Sequence, residues 1–600
     1  MTLHYTLTPD PVRHRYSVLL SLPAGNQDHL TLQMPVWTPG SYVLREYAGR
    51  VSELSASSSK GLPLPVKQTG KARWRIDLLG ASSEEEIEVR WTVFAFSQGI
   101  HDAWIDSDRG FVNPPATLLF PSRCADGPVD CCIAFDAPGW RVHSALDAVS
   151  PNEWTARSID ELLDSPFALT PESEVNAHIL DLTVCGTPHR IVITGAASLN
   201  RDRIARDLSR TFEAAIRFWD PKDARAPFDR YLLVMHLAPG AYGGLEHAAG
   251  TMLLEDPENL PAAHESEPPK GYSEFLILAA HEYFHAWLVK RLKPSAFLPY
   301  DLSRENPSHD LWIFEGVTSH FESRIPLLAG VIDGQEARRR FAERLNAAFG
   351  REGFDRMSLS ESGFCAWTKL YRPTQDSFYS QVSYYTKGAL AALLIDAELR
   401  RRTKSASDLA KFLAGWFARV RKAIARGEWP GLPDRGIAGV IREVTGEDLT
   451  AFIERLVEGR GDRALWEKAV GEALAEQGLA LEPDPAAPAA LRLAGLRVKP
   501  RSGRPFAGDV PSASPAFAAG IFSGDEIVAV DGERAAVETI NRQIERARGR
   551  KVTVHFFRGA RLLSGALDLT RPLAPEFLAL LPQRVVPAGD ADRTAQKSVG

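Results

Sequence analysis

The sequence predicts a multidomain chain: an all-β, sandwich-like N-terminal region, an α+β central region with an α-rich second half, and a small separate domain near the C-terminus. Three observations carry this reading. The chain has 600 residues, and at roughly 150 residues per domain about three to five domains are expected. Apolar residues recur with period two early in the chain and with helical spacing later. The stretch LEPDPAAP, residues 481–488, cannot continue a helix and reads as a break between domains.

Within residues 1–172, the run Ile87 to Val93 alternates apolar and polar residues, as on a strand with one buried face, and Pro39-Gly40 and Pro138-Gly139 mark turns. Residues 173–270 form the β-rich part of the central region, with an amphipathic stretch at Arg203 to Trp219 and a strand-like run at Tyr231 to Met235. Helical periodicity dominates 271–480. Residues 481–490 are expected to be a linker, 491–575 the small domain and 576–600 a frayed tail. The acidic, proline-bearing stretch Glu255 to Pro269 is expected to form a mobile flap. The arginine runs at 338–340 and 400–402 lie beside acidic residues and read as solvated helix faces.

Composition narrows the function. With 44% hydrophobic and 24% charged residues, the chain can bury large cores. A net charge of −6, from 70 basic and 76 acidic residues, leaves no footprint for nucleic acid or an anionic membrane, so neither is an expected partner. Cys124, Cys131, Cys132, Cys185 and Cys365 lack CxxC spacing and fit reduced thiols. The first twenty residues lack the apolar core of a signal peptide, and no eighteen apolar residues run together, so a cytoplasmic protein is expected.

The most informative stretch is His281-Glu282-Tyr283-Phe284-His285. Residues four apart on a helix share a face, so the two imidazoles can converge on one ion, while Glu282 is placed to act as general base on a water there. With 15 histidines in 600 residues, about 0.02 such motifs are expected by chance. A catalytic zinc normally takes three protein ligands. The segment Asp310 to Glu322 has helical character and offers Glu315 as the candidate, with His320 and Glu322 as rivals; Glu322 could instead hold a ligand from behind or simply be exposed.

HEYFHAW followed by LWIFEGVTSHFES resembles the HExxH-plus-distant-Glu pattern of thermolysin-like gluzincin zinc peptidases, in which the Glu of Trp-x-x-Glu-Gly completes the site. Gly243-Gly244-Leu245-Glu246-His247, Ser383-Tyr384-Tyr385-Thr386-Lys387-Gly388, Met34 to Tyr42 and Asp106 to Phe111 are similar to segments of the glycyl aminopeptidase family of metallopeptidases. The resemblance implies a thermolysin-like catalytic domain, one Zn2+ per chain held by His281, His285 and Glu315, and removal of small N-terminal residues, glycine or alanine, from peptides with a free N-terminus. Gly243 and Gly244 would let a substrate backbone approach an edge strand, and Glu246 would bind its protonated amine. Tyr385 would stabilise the developing oxyanion, with Tyr384 as the alternative donor.

Residues 514–532 resemble a PDZ domain, which would capture a peptide C-terminus at a sheet edge; Gly495-Leu496 is the nearest candidate for its carboxylate loop. Two other readings remain open: an endopeptidase on the same zinc site, and a PDZ-centred binding protein with a vestigial peptidase domain.

Overall fold

The computed structural model describes residues 2–79, 82–125, 127–173 and 176–589 and divides into two units. The first runs to Ser308 and takes in Phe321–Asp333 and Ala410–Thr445; the second holds His309–His320, Gly334–Leu409 and the chain from Gly446 onward.

The first unit opens with a β-rich region of one eight-stranded and two four-stranded sheets. Strand Glu86–Phe94 shows why the period-two pattern is legible: Ile87, Val89, Trp91 and Val93 are each 1% exposed or less, and the intervening residues face outward. The eight-stranded sheet is mixed, because Thr2–Asp10 pairs in parallel with Pro128–Phe135 while the remaining pairs are antiparallel.

A five-stranded sheet follows, in the order Ala177–Val184, Thr187–Thr194, Tyr231–Leu237, Gly250–Glu255, Tyr242–His247. Tyr231–Leu237 has parallel neighbours on both sides and is buried throughout, as expected of a central strand covered on both faces. The predicted amphipathic stretch is helix Arg201–Trp219; Asn200 Oδ1 accepts the Arg203 N–H at 3.1 Å, and Ile204, Leu208, Phe212 and Ile216 form its buried stripe. Helix Tyr272–Phe284 packs on it, with the Phe212 and Tyr283 rings stacked 4.0 Å apart. Being covered nearly all round, this second helix has no broad polar face.

The expected flap is fastened. The Asn200 N–H donates to Pro261 O at 2.8 Å, its side-chain amide donates to Glu265 O at 3.1 Å, and Arg203 donates to Ser266 O. The residues that start the helix thus also supply donors to the acidic loop.

In the second unit, helix Thr386–Arg402 is buried on nearly every face among Gly334–Phe349, Thr450–Glu458 and Arg463–Ala475. The arginine runs pair along their helices: Arg339 and Arg340 with Glu336, Arg400 with Asp396, Arg402 with Glu398. Strands Val498–Arg501, Arg504–Ala507, Glu526–Val530, Lys551–Arg558 and Arg561–Asp568 make the C-terminal sheet together with Glu533–Arg534, which pairs with Glu526–Val530, and short helices Pro515–Ala518 and Ile540–Arg546 belong to the same region. Among the described residues no helix is long and apolar enough to cross a membrane.

The linker and tail expectations need correction where they meet. Leu479–Pro483 is a strand, and it pairs antiparallel with Gln583–Pro587; residues 590–600 lie outside the described ones. The pair is anchored by Asn346, whose amide donates to Gln583 O at 2.7 Å and accepts the Gln583 N–H at 2.8 Å, imitating another strand. Five residues on each side are too few to announce a strand when the partner is about a hundred positions away in sequence. Asn346→Ala leaves both backbone groups without this partner, and about 1–3 kcal/mol of unfolding free energy should be lost in urea titration, with faster amide exchange across 479–483 and 583–587.

Candidate active site

His281 and His285 sit at the C-terminal end of helix Tyr272–Phe284: His285 is already the cap residue, and the chain turns sharply through Val289, whose φ is +102°. The His285 Nδ1–H donates to Leu288 O at 2.9 Å, so the turn clamps the ring. The His281 Nδ1–H donates to Glu322 Oε2 at 2.8 Å. With both Nδ1 atoms engaged as donors, each neutral ring carries its lone pair on Nε2, and the two Nε2 atoms stand 3.0 Å apart. Two lone pairs aimed at one another repel unless a cation lies between them. Two nitrogens on a tetrahedral zinc lie about 3.3 Å apart, so the pair fits this ion.

Glu322 is 3% exposed and meets His281 through this one oxygen.

Tyr242–His247 is the edge strand of its sheet, paired only through Gly250–Glu255 among the described residues. A Cβ on Gly244 would fall 2.2 Å from Glu282 Oε1, and a Cβ on Gly40, itself at φ +99°, would fall 2.4 Å from Glu246 Oε2. Gly244 is thus required for the strand to cross Glu282, while the turn at Pro39-Gly40 closes over Glu246. Ligand atoms of Glu246, Glu282 and His285 all lie within 4.8 Å of one another. Two buried carboxylates this close raise each other's energy and favour a cation between them. Glu246 is 3% exposed and its Oε1 has no hydrogen-bond partner among the described residues. Near them burial pushes the Tyr231 hydroxyl well above its ordinary range, helped by the charges of Glu282 and Glu246.

Asp164, which the sequence did not single out, joins this strand to the turn after the histidines. It accepts from Lys290 Nζ at 2.9 Å, the Ala248 N–H at 2.9 Å and His247 Nδ1 at 3.1 Å. Burial pushes its carboxyl up, but Lys290 and His247 outweigh that and hold it well below the usual carboxylate range.

In the second unit, Glu315 lies on a π-helical turn, Trp312–Gly316, and is 2% exposed. The turn meets helix Thr386–Arg402 backbone to backbone: a Cβ on Gly316 would be 2.5 Å from Gly388 Cα, and one on Gly388 would be 2.9 Å from Gly316 Cα. The glycines ending Trp-x-x-Glu-Gly and Tyr-x-Lys-Gly are therefore one contact. Next to Gly388, Lys387 donates to Phe354 O at 3.0 Å and Met357 O at 3.3 Å; burial lowers its ammonium to about 8. Tyr385 caps the start of the helix, and burial followed by the Glu315 charge raises its hydroxyl well above the ordinary range. Tyr384 is fully buried, with its ring stacked on Tyr385 at 4.7 Å. His320 is buried in this unit as well.

Glu322→Ala should weaken metal binding about 10- to 100-fold in a chelator competition, because the His281 ring loses its tether. Asp164 has a depressed pKa in the folded chain, so its stabilising contribution is present above the unfolded value of about 3.9 and is lost as pH falls below it. Asp164→Asn should therefore melt lower than the natural chain at neutral pH, with the two midpoints converging as pH drops from about 5 to about 2 in thermal scans.

Residues 4–170 match the Peptidase M61 N-terminal domain, and residues 274–391 match the M61 glycyl aminopeptidase domain. No curated protein matches the chain. The structure is similar to that of an aminopeptidase N family protein from Idiomarina loihiensis, at 28% identity, 98% of each chain and a TM-score of 0.86. A mutant M1 zinc metallopeptidase from Deinococcus radiodurans, solved with a Tyr-Ser-Ala substrate, is 14% identical over 77% of this chain and 94% of its own, with a TM-score of 0.44. The chain thus carries peptidase M61 domains, and these support a metallopeptidase.

Proposed function

We propose that the chain is a zinc-dependent aminopeptidase that removes small N-terminal residues, glycine or alanine, from peptides. The observation that carries the exopeptidase reading is Glu246: a buried carboxylate on an edge strand, near Glu282, with one oxygen that has no hydrogen-bond partner among the described residues. An extended peptide added to that strand brings its protonated amine to this carboxylate, and the ammonium relieves the repulsion between the two acids.

His281 and His285 hold the ion through Nε2, supported by their 3.0 Å separation and the bonds at each Nδ1. We assign Glu315 as the third ligand, on its burial in the Trp-x-x-Glu-Gly turn and the match of residues 274–391. Zinc, when bound, supplies a Lewis acid that polarises the scissile carbonyl and makes water acidic enough to attack it. Glu282 takes the proton from the attacking water and returns it to the leaving amine. Its place under Gly244, where no side chain intervenes, aims it at a backbone lying along the strand. Tyr385 donates to the oxygen that gains charge as water attacks. The small domain after residue 490 contributes no residue to these steps.

Zinc-loaded protein should cleave glycyl and alanyl peptides only when the amine is free, releasing one residue at a time. Glu282→Gln should lower kcat by about 10²–10⁴-fold while zinc content stays at one per chain. Cleavage of acetylated peptides at comparable rates would move the assignment to an endopeptidase, and an active Glu282→Gln protein would remove Glu282 from the mechanism.

A further inference from the structure

A third hydroxyl stands in the tyrosine cluster. Tyr371, fourteen residues before Tyr385 on a separate irregular segment, places its hydroxyl oxygen 2.7 Å from that of Tyr385. Tyr384, whose ring is buried beneath, donates to the same Tyr371 oxygen at 3.3 Å. We propose that Tyr371 is a positioning residue for hydrolysis: held by Tyr384, it donates to Tyr385 and so turns the single Tyr385 proton outward to the carbonyl oxygen under attack.

Proton direction decides the point. Each tyrosine hydroxyl has one proton to give and lone pairs to receive with. Tyr384 spends its proton on Tyr371. A 2.7 Å separation is an ordinary hydroxyl–hydroxyl hydrogen bond and holds one proton between the two oxygens, so one donates and the other accepts. If Tyr371 donates, the Tyr385 oxygen is polarised by an incoming hydrogen bond, and its own proton is directed away from Tyr371. A chain of hydroxyls running one way also strengthens each link, and the last donor becomes the best one. Two further facts hold the geometry. The Tyr384 and Tyr385 rings stack at 24° and 4.7 Å, and Tyr384 O is packed 2.9 Å from where a Gly316 Cβ would be, so the pair is held against the Glu315 turn through both rings and backbone.

This inference rests on the aminopeptidase reading and adds to it the residue through which Tyr385 is aimed. The test is a double-mutant cycle on the zinc-loaded full chain with a free-amine alanyl peptide, reading kcat and KM separately together with zinc content and the thermal midpoint. Tyr385→Phe should lower kcat about 10²-fold or more. Tyr371→Phe should lower kcat about 10-fold, with KM and zinc content unchanged, because ground-state binding uses Glu246 and the strand edge. In the Tyr385→Phe background the Tyr371→Phe change should have no further effect. Tyr384→Phe removes the donor to Tyr371, should act in the same direction by a smaller factor and should likewise be silent in that background; it decides the question where Tyr371→Phe folds poorly. Additive losses, or a Tyr371→Phe protein with unchanged kcat, overturn the proposal while leaving the aminopeptidase reading intact. Full activity in Tyr385→Phe overturns the role of Tyr385 and this proposal with it, and a natural chain that cleaves no free-amine peptide overturns the underlying reading.

Discussion

Close backbone approach at three glycines sets where the reactive groups stand. At Gly40 over Glu246, at Gly244 over Glu282 and at Gly316 against Gly388, an added Cβ would fall 2.2–2.5 Å from its neighbour. In each case the backbone comes closer to a carboxylate or another backbone than any side chain allows. Two of the carboxylates proposed for the chemistry are thereby left with a bare peptide unit in front of them. That is the surface an extended substrate needs, because its own backbone is what must approach.

Electrostatics explains why these groups are arranged against their own preference. Glu246 and Glu282 share a buried space, and the Nε2 lone pairs of His281 and His285 face each other at 3.0 Å. Each arrangement is costly by itself and becomes favourable around positive charge. The surrounding protein meets part of that cost by holding ring and strand from behind: Glu322 on His281, Leu288 O on His285, and Asp164 between Lys290 and the end of the Glu246 strand. None of these partners has to react. They hold the rings and the strand from behind.

Legibility followed sequence distance. The strand Glu86–Phe94 and the helix Arg201–Trp219 were readable because each has its period written within one turn or one pleat. The end of the histidine helix was not, since it is set by the bond from His285 to Leu288 O and by a turn at Val289 that runs against the residue's own preference. The strand at Leu479–Pro483 passed for a linker because its partner is a segment near the other end of the C-terminal domain. The bonds that Asn200 and Arg203 make to the loop Glu255–Pro269 were not readable either, because charge and proline carry no record of them.

Local order along the chain was enough to supply the chemical groups: two imidazoles and a carboxylate on adjacent helical turns, a distant Glu-Gly, a Gly-Gly-x-Glu edge and a Tyr-Tyr pair, each recognisable because its members are near neighbours. Folding decided that Glu322 meets His281, that Gly40 closes over Glu246, that Asp164 ties strand to turn, and that Tyr371 meets Tyr385. Those partners lie between fourteen and about two hundred residues apart, and no local period records a contact made by packing. Spacing along a chain specifies which atoms can react; only the folded backbone specifies the direction in which they point.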